Sequence, residues 1–463
     1  MLVPTPRLLM AAIAGIAPIV ITGPYNRGLW VAFIWLAGVV LAACIDGWFA
    51  WPSRKVTWTR EHDPKLSLGV WNEVRLTLDN RSQRVLRFRA RDAVPRLLIA
   101  DAPTADASCR EGSSWVLRYR VLPLHRGDYT FPSLAVRYLG PLGLVWFQQT
   151  VRVVTESKVY PDITAVRTYE TLLLRGHLEE LGMRRARLRG SGTAFERLRE
   201  YTPDDEFRCI DWKATARRHK PIAVDYETER SQSVFFALDS GRLMSTRIPL
   251  PDQNGGSGAP SETKEILPRR HSPVPALSRL DYSVNAATLL AFVSQSRGDR
   301  VGLVAFSDRV LRFVAAAPGR RQFLKLTSSL YDLEPEQSEA DYGVGLGYLA
   351  ARLQRRCLIA VFTDVAGREA GDSLIANVVY LARRHLVLVV TLRDPGVESI
   401  ARQKPDTSEK VYTRAVGRFL LDNREQTLRH LRARGILTLD VSADEISSSV
   451  INRYLEIKAR AQL

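Results

Sequence analysis

Residues 195–239 read FERLREYTPDDEFRCIDWKATARRHKPIAVDYETERSQSVFFALD. Arg199, Glu200, Asp205, Arg208, Asp211, Lys213 and Arg217 crowd around Tyr201, Pro203 and Trp212, and the run ends in an apolar strand, Val234–Leu238, closed by the carboxylate of Asp239. Charges interleaved this densely with aromatic residues predict a paired, partly buried polar network, because a charge removed from water must find a partner or cost several kcal/mol. Arg199, Tyr201, Asp205, Arg208, Asp211, Trp212 and Arg217 form that expected network, locking the segment onto the sheet that begins at Val234.

Past Asp239, strand-length apolar runs alternate with helical patterns. Strands are expected at Val301–Phe306, Leu358–Thr363, Leu386–Leu392 and Ile436–Val441, and helices at Ser283–Gln295, Gln322–Tyr331, Tyr342–Leu353, Leu374–Arg383 and Asn423–Arg434. This alternation predicts an α/β fold with a doubly wound, mostly parallel sheet. Residues 245–280 are rich in Pro, Gly and Ser without apolar period, and read as a disordered insertion after the first strand.

The order F-E-x-L-R-x-Y-x-P-x-D-x-x-R-x-I-D-W-x-x-x-A-R, followed by a strand ending Leu238-Asp239, resembles the signature of the DUF58 family. The resemblance implies a von Willebrand A-like domain, a bacterial membrane-anchored chain and association with MoxR-type AAA+ ATPases. Asp204 stands where that family usually has Gly.

Ligands of open α/β sheets bind at the carboxyl ends of strands. Asp239 and Asp364 each follow a strand there, and Asp341 precedes a helix on a connection able to reach the same edge. Three acids with nearby hydroxyls suit a hard divalent cation, which takes oxygen ligands; Asp239, Asp341 and Asp364 are therefore the candidate ligands of Mg²⁺. Von Willebrand A domains carry such an ion on a D-x-S-x-S loop, a Thr and a late Asp. Here Gly241 and Leu243 replace both serines, so the expected site is degenerate, and Arg242 could set a positive charge at the ion's place. The alternative is that Asp239 and Asp364 cap helices or pair with Arg242 and Arg309.

Upstream, Leu8–Thr22 and Leu29–Ile45 are apolar blocks separated by a short Gly- and Pro-containing turn. Each falls just short of the ~20 residues that span a bilayer; extension to Val3 and Trp51 closes the gap. Trp30, Trp48 and Trp51 sit where an aromatic belt would, and Arg54, Lys55 and Arg60 follow. Residues 1–52 thus read as a transmembrane helical hairpin with everything after it on the cytoplasmic side of the inner membrane. The competing reading is a signal peptide at 1–22 followed by one anchor. Residues 53–162 alternate with period two between turns and predict an all-β sandwich-like domain. Residues 163–232 carry the signature, opened by a helix over 164–189 with a basic tip, and 233–463 form the von Willebrand A-like domain.

The 463 residues are 46% apolar, enough for two or three cores, and 66 Lys and Arg against 49 acids leave a charge of +17. The surplus points to anionic partners. Membrane lipid is the expected one; nucleic acid is not, since no nucleic-acid-reading module accompanies the charge. The 4 cysteines are dispersed, against a disulfide framework. No Walker A, H-E-x-x-H or G-x-S-x-G motif is present. The sequence therefore predicts no enzyme but a membrane-anchored adaptor working with a MoxR-type ATPase. Its alternatives are an envelope-assembly scaffold without that partner and a metal-dependent hydrolase.

Overall fold

A computed structural model describes residues 1–17, 28–51, 55–162, 165–170, 194–202, 207, 210–227, 232–250, 275–365 and 368–460. The chain divides into two compact units, Met1–Tyr160 and Pro161–Leu463.

The first unit opens with a strand, β1 (Leu2–Pro4), and a helix, α1 (Pro6–Ala14), capped by Thr5. The long apolar helix α2 (Gly28–Ala50) follows. The strands β2 (Val56–His62), β3 (Lys65–Ser67), β4 (Asn72–Asn80), β5 (Leu86–Arg91), β6 (Leu98–Ala100), β7 (Thr104–Cys109), β8 (Ser113–Pro123), β9 (Gly127–Phe131), β10 (Leu134–Leu139), β11 (Val145–Val151) and β12 (Thr155–Tyr160) complete it. They form sheets ordered β1-β11-β10-β5-β7, β2-β4-β8-β6 and β3-β12-β9. Period-two alternation gives each strand one apolar face. Trp58, Leu76 and Leu78 from one sheet and Phe88, Val136, Tyr138 and Phe147 from another share a single core.

Only one helix among the described residues, Trp30–Ala50, is long and apolar enough to cross a membrane. The expected first span does not reach back to Val3. Residues 2–4 instead pair antiparallel with Val145–Phe147, and the Thr5 amide donates to the Leu144 carbonyl. Pro4 suits an edge strand, where its missing amide costs no ladder bond, and an apolar count over the whole block conceals this. Residues 18–27, and with them the expected turn between spans, lie outside the described residues.

The last turn of α2 is tied into the sheets. Asp46, fully buried, accepts hydrogen bonds from the amides of Leu142 (2.7 Å), Leu144 (2.8 Å) and Val145 (3.0 Å) in the β10–β11 turn. A Cβ on Gly140 would stand 2.3 Å from its carboxyl group, so this close approach requires glycine.

In the second unit, β13 (Ala194–Glu200) and β14 (Ile222–Glu227) form a two-stranded ribbon around the short helix α3 (Trp212–Arg218). The main sheet is built from β15 (Ser233–Asp239), β18 (Arg300–Phe306), β19 (Val310–Ala317), β20 (Leu358–Phe362), β21 (Leu386–Leu392) and β22 (Leu437–Val441), in the order β19-β18-β15-β20-β21-β22. All its pairings are parallel except that of the edge strand β19. A parallel strand covered on both faces reads as a continuous apolar run; every residue of Leu358–Phe362 is buried.

The connecting helices are α4 (Arg279–Ser296), α5 (Arg320–Tyr331), α6 (Tyr342–Arg352), α7 (Arg368–Ala382), α8 (Pro395–Arg402), α9 (Ser408–Ala433) and α10 (Ile446–Ala459). Alternate strand residues, Phe235, Ala237, Val304, Phe306, Ile359 and Val361, bury against Leu346, Leu374 and Val378 of α6 and α7. The intervening residues of β15, β18 and β20 are also buried, and α4 packs on β15 and β18.

The expected insertion at 245–280 is narrower than its composition suggested. Arg247–Pro249 (β16) pairs antiparallel with Ala276–Ser278 (β17), and Ile248 and Leu277 are buried. Ser278 then starts α4 through a reciprocal capping box with Asp281. Two isolated apolar residues in a Pro- and Ser-rich run were enough to close this ribbon. Residues 251–274 lie outside the described residues.

Candidate functional site: the carboxyl edge of the parallel sheet

The main sheet's strands deliver Asp239, Thr363 and Asp364 to one edge, because β15 and β20 are parallel and Leu238 lies opposite Phe362. Asp239 is 2% exposed. Its Oδ1 accepts from the Gly241 amide at 2.7 Å; its Oδ2 accepts from Thr363 Oγ1 at 2.6 Å and Tyr342 OH at 3.3 Å. Burial pushes the Asp239 carboxyl above its ordinary range, against the lowering effect of the Thr363, Gly241 and Tyr342 hydrogen bonds.

Asp364 has different company. It is buried between two guanidinium groups, Arg279 at the start of α4 and Arg424 in α9. Arg279 also bonds Asp394 at 2.7 Å. Arg424 reaches Asp440 and the Leu392 carbonyl, both at 2.6 Å. Thr391 Oγ1 donates to Asp440 at 2.9 Å, and Asp394 caps α8 through the amides of Gly396 and Val397. Burial pulls the Arg279 guanidinium below its ordinary value, and its bond to Asp394 opposes this. The result is a continuous lattice of two arginines and three carboxylates, running Asp394–Arg279–Asp364–Arg424–Asp440 and joining α4, the end of β20, the start of α8, α9 and β22.

Asp341, the third expected ligand, is exposed and caps α6 by accepting from the Val344 amide at 3.0 Å. Arg242 does not occupy an ion's place: it pairs with Glu339 at 2.7 Å on the surface. Arg309 bonds Glu336 and Asp308, not either edge carboxylate. Among the described residues no three His, Cys, Asp or Glu side chains group to hold a metal.

The donor set does not fit Mg²⁺. A hard cation needs oxygen donors with uncommitted charge, and Asp364 is already neutralised by two arginines. At Gly241, where a metal-binding loop would carry a serine, an added Cβ would lie 2.8 Å from the Ala340 backbone nitrogen. The loop is too close to its neighbour to admit that hydroxyl. The buried Ser240 Oγ has no hydrogen-bond partner among the described residues.

Two clefts open on this edge. One, of about 590 Å³, is lined by Asp239, Gly241, Leu243, Glu339, Tyr342 and Ser373 among others. The second, of about 460 Å³, exposes the lattice through Arg279, Asp364, Arg393, Asp394 and Arg424, and shares Leu243 with the first.

Of the expected signature network, Tyr201 and Asp211 are half-buried, whereas Trp212 and Arg217 face solvent. Trp212 is 61% exposed and stacks edge-on with Phe207 at 5.5 Å, and Arg217 is exposed. Asp211 caps α3 by accepting from the amides of Lys213 and Ala214. The Tyr201 amide donates to the Pro221 carbonyl, and Arg199 lies opposite Ala223 in the ribbon. Asp205 and Arg208 lie outside the described residues. Among the described members, Arg199 lies on the ribbon strand β13, Tyr201 just follows it, and Asp211, Trp212 and Arg217 belong to α3 and its cap.

The position of Asp239 has a pH consequence. A carboxyl whose folded pKa lies above its unfolded value favours folding below the unfolded pKa, and that contribution is lost as pH rises through the folded value. Asp239→Asn removes the charge and can still meet Gly241 and Thr363. It is expected to raise the melting temperature at neutral pH and to leave it nearly unchanged below about pH 4. Thermal unfolding of the two proteins across that range checks this; equal melting at neutral pH would remove the burial argument.

Residues 197–247 and 275–409 match the family model described as "Protein of unknown function DUF58". The "Uncharacterized protein YeaD" of Bacillus subtilis (strain 168) is 27% identical over 128 residues, 27% of this chain and 31% of that protein. The matched stretch therefore spans about a third of that relative's length. Among solved structures, a conserved hypothetical protein, BatB from Bacteroides thetaiotaomicron, is similar with 14% identity and a TM-score of 0.29, covering 50% of this chain and 99% of that one. The CARDB domain of PF1109 from Pyrococcus furiosus, crystallised with di-metal ions, has 12% identity and a TM-score of 0.17, covering 25% of this chain and 98% of that one. The matched residues include Asp239, Arg279, Asp364 and Asp394 of the carboxyl edge, but not Arg424 or Asp440, and the function of DUF58 is unknown.

Proposed function

We propose that this chain is a membrane-anchored interaction module whose second unit, a doubly wound von Willebrand A-like domain, docks a MoxR-type AAA+ ATPase at the cytoplasmic face of the inner membrane. The observation that carries the reading is the pairing of Asp364 with Arg279 and Arg424. A carboxylate so neutralised is withdrawn from general base and metal chemistry, and a rigid lattice of buried charges is better suited to fixing the shape of a surface. The two clefts beside it offer apolar and charged lining to a partner.

Elsewhere, the Cys357 thiol lies 3.4 Å from His385 Nδ1, but burial pushes the thiol up to about 12, so it does not supply a thiolate nucleophile. On this reading the chain itself is not an enzyme, and the ATPase supplies the work.

Arg242 and Glu339 are exposed at the cleft rim, so reversing both charges leaves the lattice intact. Affinity purification from native membranes is expected to recover an AAA+ ATPase with the parent protein, and to lose it with Arg242→Glu/Glu339→Lys. Recovery with both proteins would move the docking surface elsewhere. No ATPase with either would favour an envelope-assembly scaffold.

A further inference from the structure

We infer that the cleft between the end of α2 and the β4–β5 loop binds the headgroup of an anionic phospholipid, an inference that rests on the membrane-anchor reading above. The cleft, of about 700 Å³, is lined by Trp48, Phe49, Trp51, Lys55 and Arg84 and, among its described lining residues, by no carboxylate.

Three independent features point to lipid. The first is position: the cleft adjoins the carboxyl end of the membrane-length helix Trp30–Ala50. Trp48 there is 81% exposed, and amphipathic rings of this kind settle at the headgroup level. The second is charge. The Arg84 guanidinium stacks over the Phe49 ring at 4.8 Å, and the loop sequence Arg81-Ser82-Gln83-Arg84-Val85 contains two cations and no acid. Beside them Val85, the last loop residue before β5, is 59% exposed, an apolar side chain fit for the acyl boundary.

The third is rigidity. Buried Asn80 donates to the carbonyls of Arg84 and Arg110, both at 2.8 Å, and accepts from the amide of Ser82 at 3.1 Å and from its hydroxyl. The loop is held in shape before any ligand arrives, which lowers the entropy lost on binding. Phosphate bonded to Arg84 and Lys55, with its acyl chains along α2 and the indole rings, satisfies all three features.

The test uses the full chain reconstituted in nanodiscs of equal phosphatidylcholine and phosphatidylglycerol, then released into mild detergent, with retained lipid identified by mass spectrometry. Phosphatidylglycerol is expected to be retained preferentially. Arg84→Glu is expected to lower that retention by about five-fold or more, the factor matching ~1 kcal/mol for each basic residue at an anionic surface. Arg118→Glu, on an exposed strand position of the same unit, is expected to leave it unchanged. Equal retention by Arg84→Glu, or no preference over phosphatidylcholine, overturns the headgroup site while the anchor stands. Release of the parent protein from membranes by alkaline carbonate would overturn anchor and site together.

Discussion

Replacing Arg424 with methionine is expected to destabilise the second unit by roughly 3–5 kcal/mol, the usual result of stranding a buried charge. The substitution keeps an apolar stem and deletes a guanidinium that serves Asp364, Asp440 and the Leu392 carbonyl together. Its side chain is 11% exposed, so water cannot replace those bonds at low cost. Arg424→Lys is expected to recover only part of the loss, because an ammonium cannot bridge partners in the planar fork of a guanidinium. Chemical denaturation of the full chain, followed by a probe in the second unit, measures both. A loss below about 1 kcal/mol, the range of exposed pairs, would mean that the lattice does not organise the edge.

The second large effect belongs to Asp46. Asp46→Ala leaves the amides of Leu142, Leu144 and Val145 without their acceptor. Hydrogen bonds to a charged group contribute about 1.5–3 kcal/mol each, so a loss of more than ~3 kcal/mol from the first unit is expected. Asp46→Asn keeps one acceptor oxygen and should fall between. Gly140→Ala should resemble Asp46→Ala, since the added methyl group takes the carboxyl group's space. Hydrogen exchange at residues 142–145 is the direct readout. Unchanged protection in Asp46→Ala would show that the turn holds without the helix.

Much of the main sheet was legible because parallel strands buried on both faces announce themselves as unbroken apolar runs. Val301–Phe306 and Leu386–Leu392 lie where the sequence places them. The edge strand Val310–Ala317 carries a weaker, interrupted pattern and was not anticipated. Nor was the first half of α9: its helix begins at Ser408, well before the expected Asn423, and Tyr412 and Phe419 are exposed rather than turned to a core.

The site divides in the same way. Asp239 and Asp364 were found because a carboxylate ending an apolar strand is a local signal. Their partners are not local: Arg424 lies 60 residues beyond Asp364. Arg279 stands at the end of a stretch whose composition argued for disorder, so neither arginine could be assigned to Asp364 without the fold. Gly241 offered a usable hint, because a glycine in place of a ligand serine implies close backbone approach. The structure supplies the neighbour, the Ala340 nitrogen.

The carboxyl edge of this sheet is the proposed docking surface. A photo-crosslinking residue placed at exposed Ser373, on the cleft rim, tests it in living cells, with Arg355, before the amino end of β20, as the control position. An adduct with an AAA+ ATPase is expected from position 373 and none from 355. The same adduct from 355 alone, or from neither position while the protein remains folded, would contradict it.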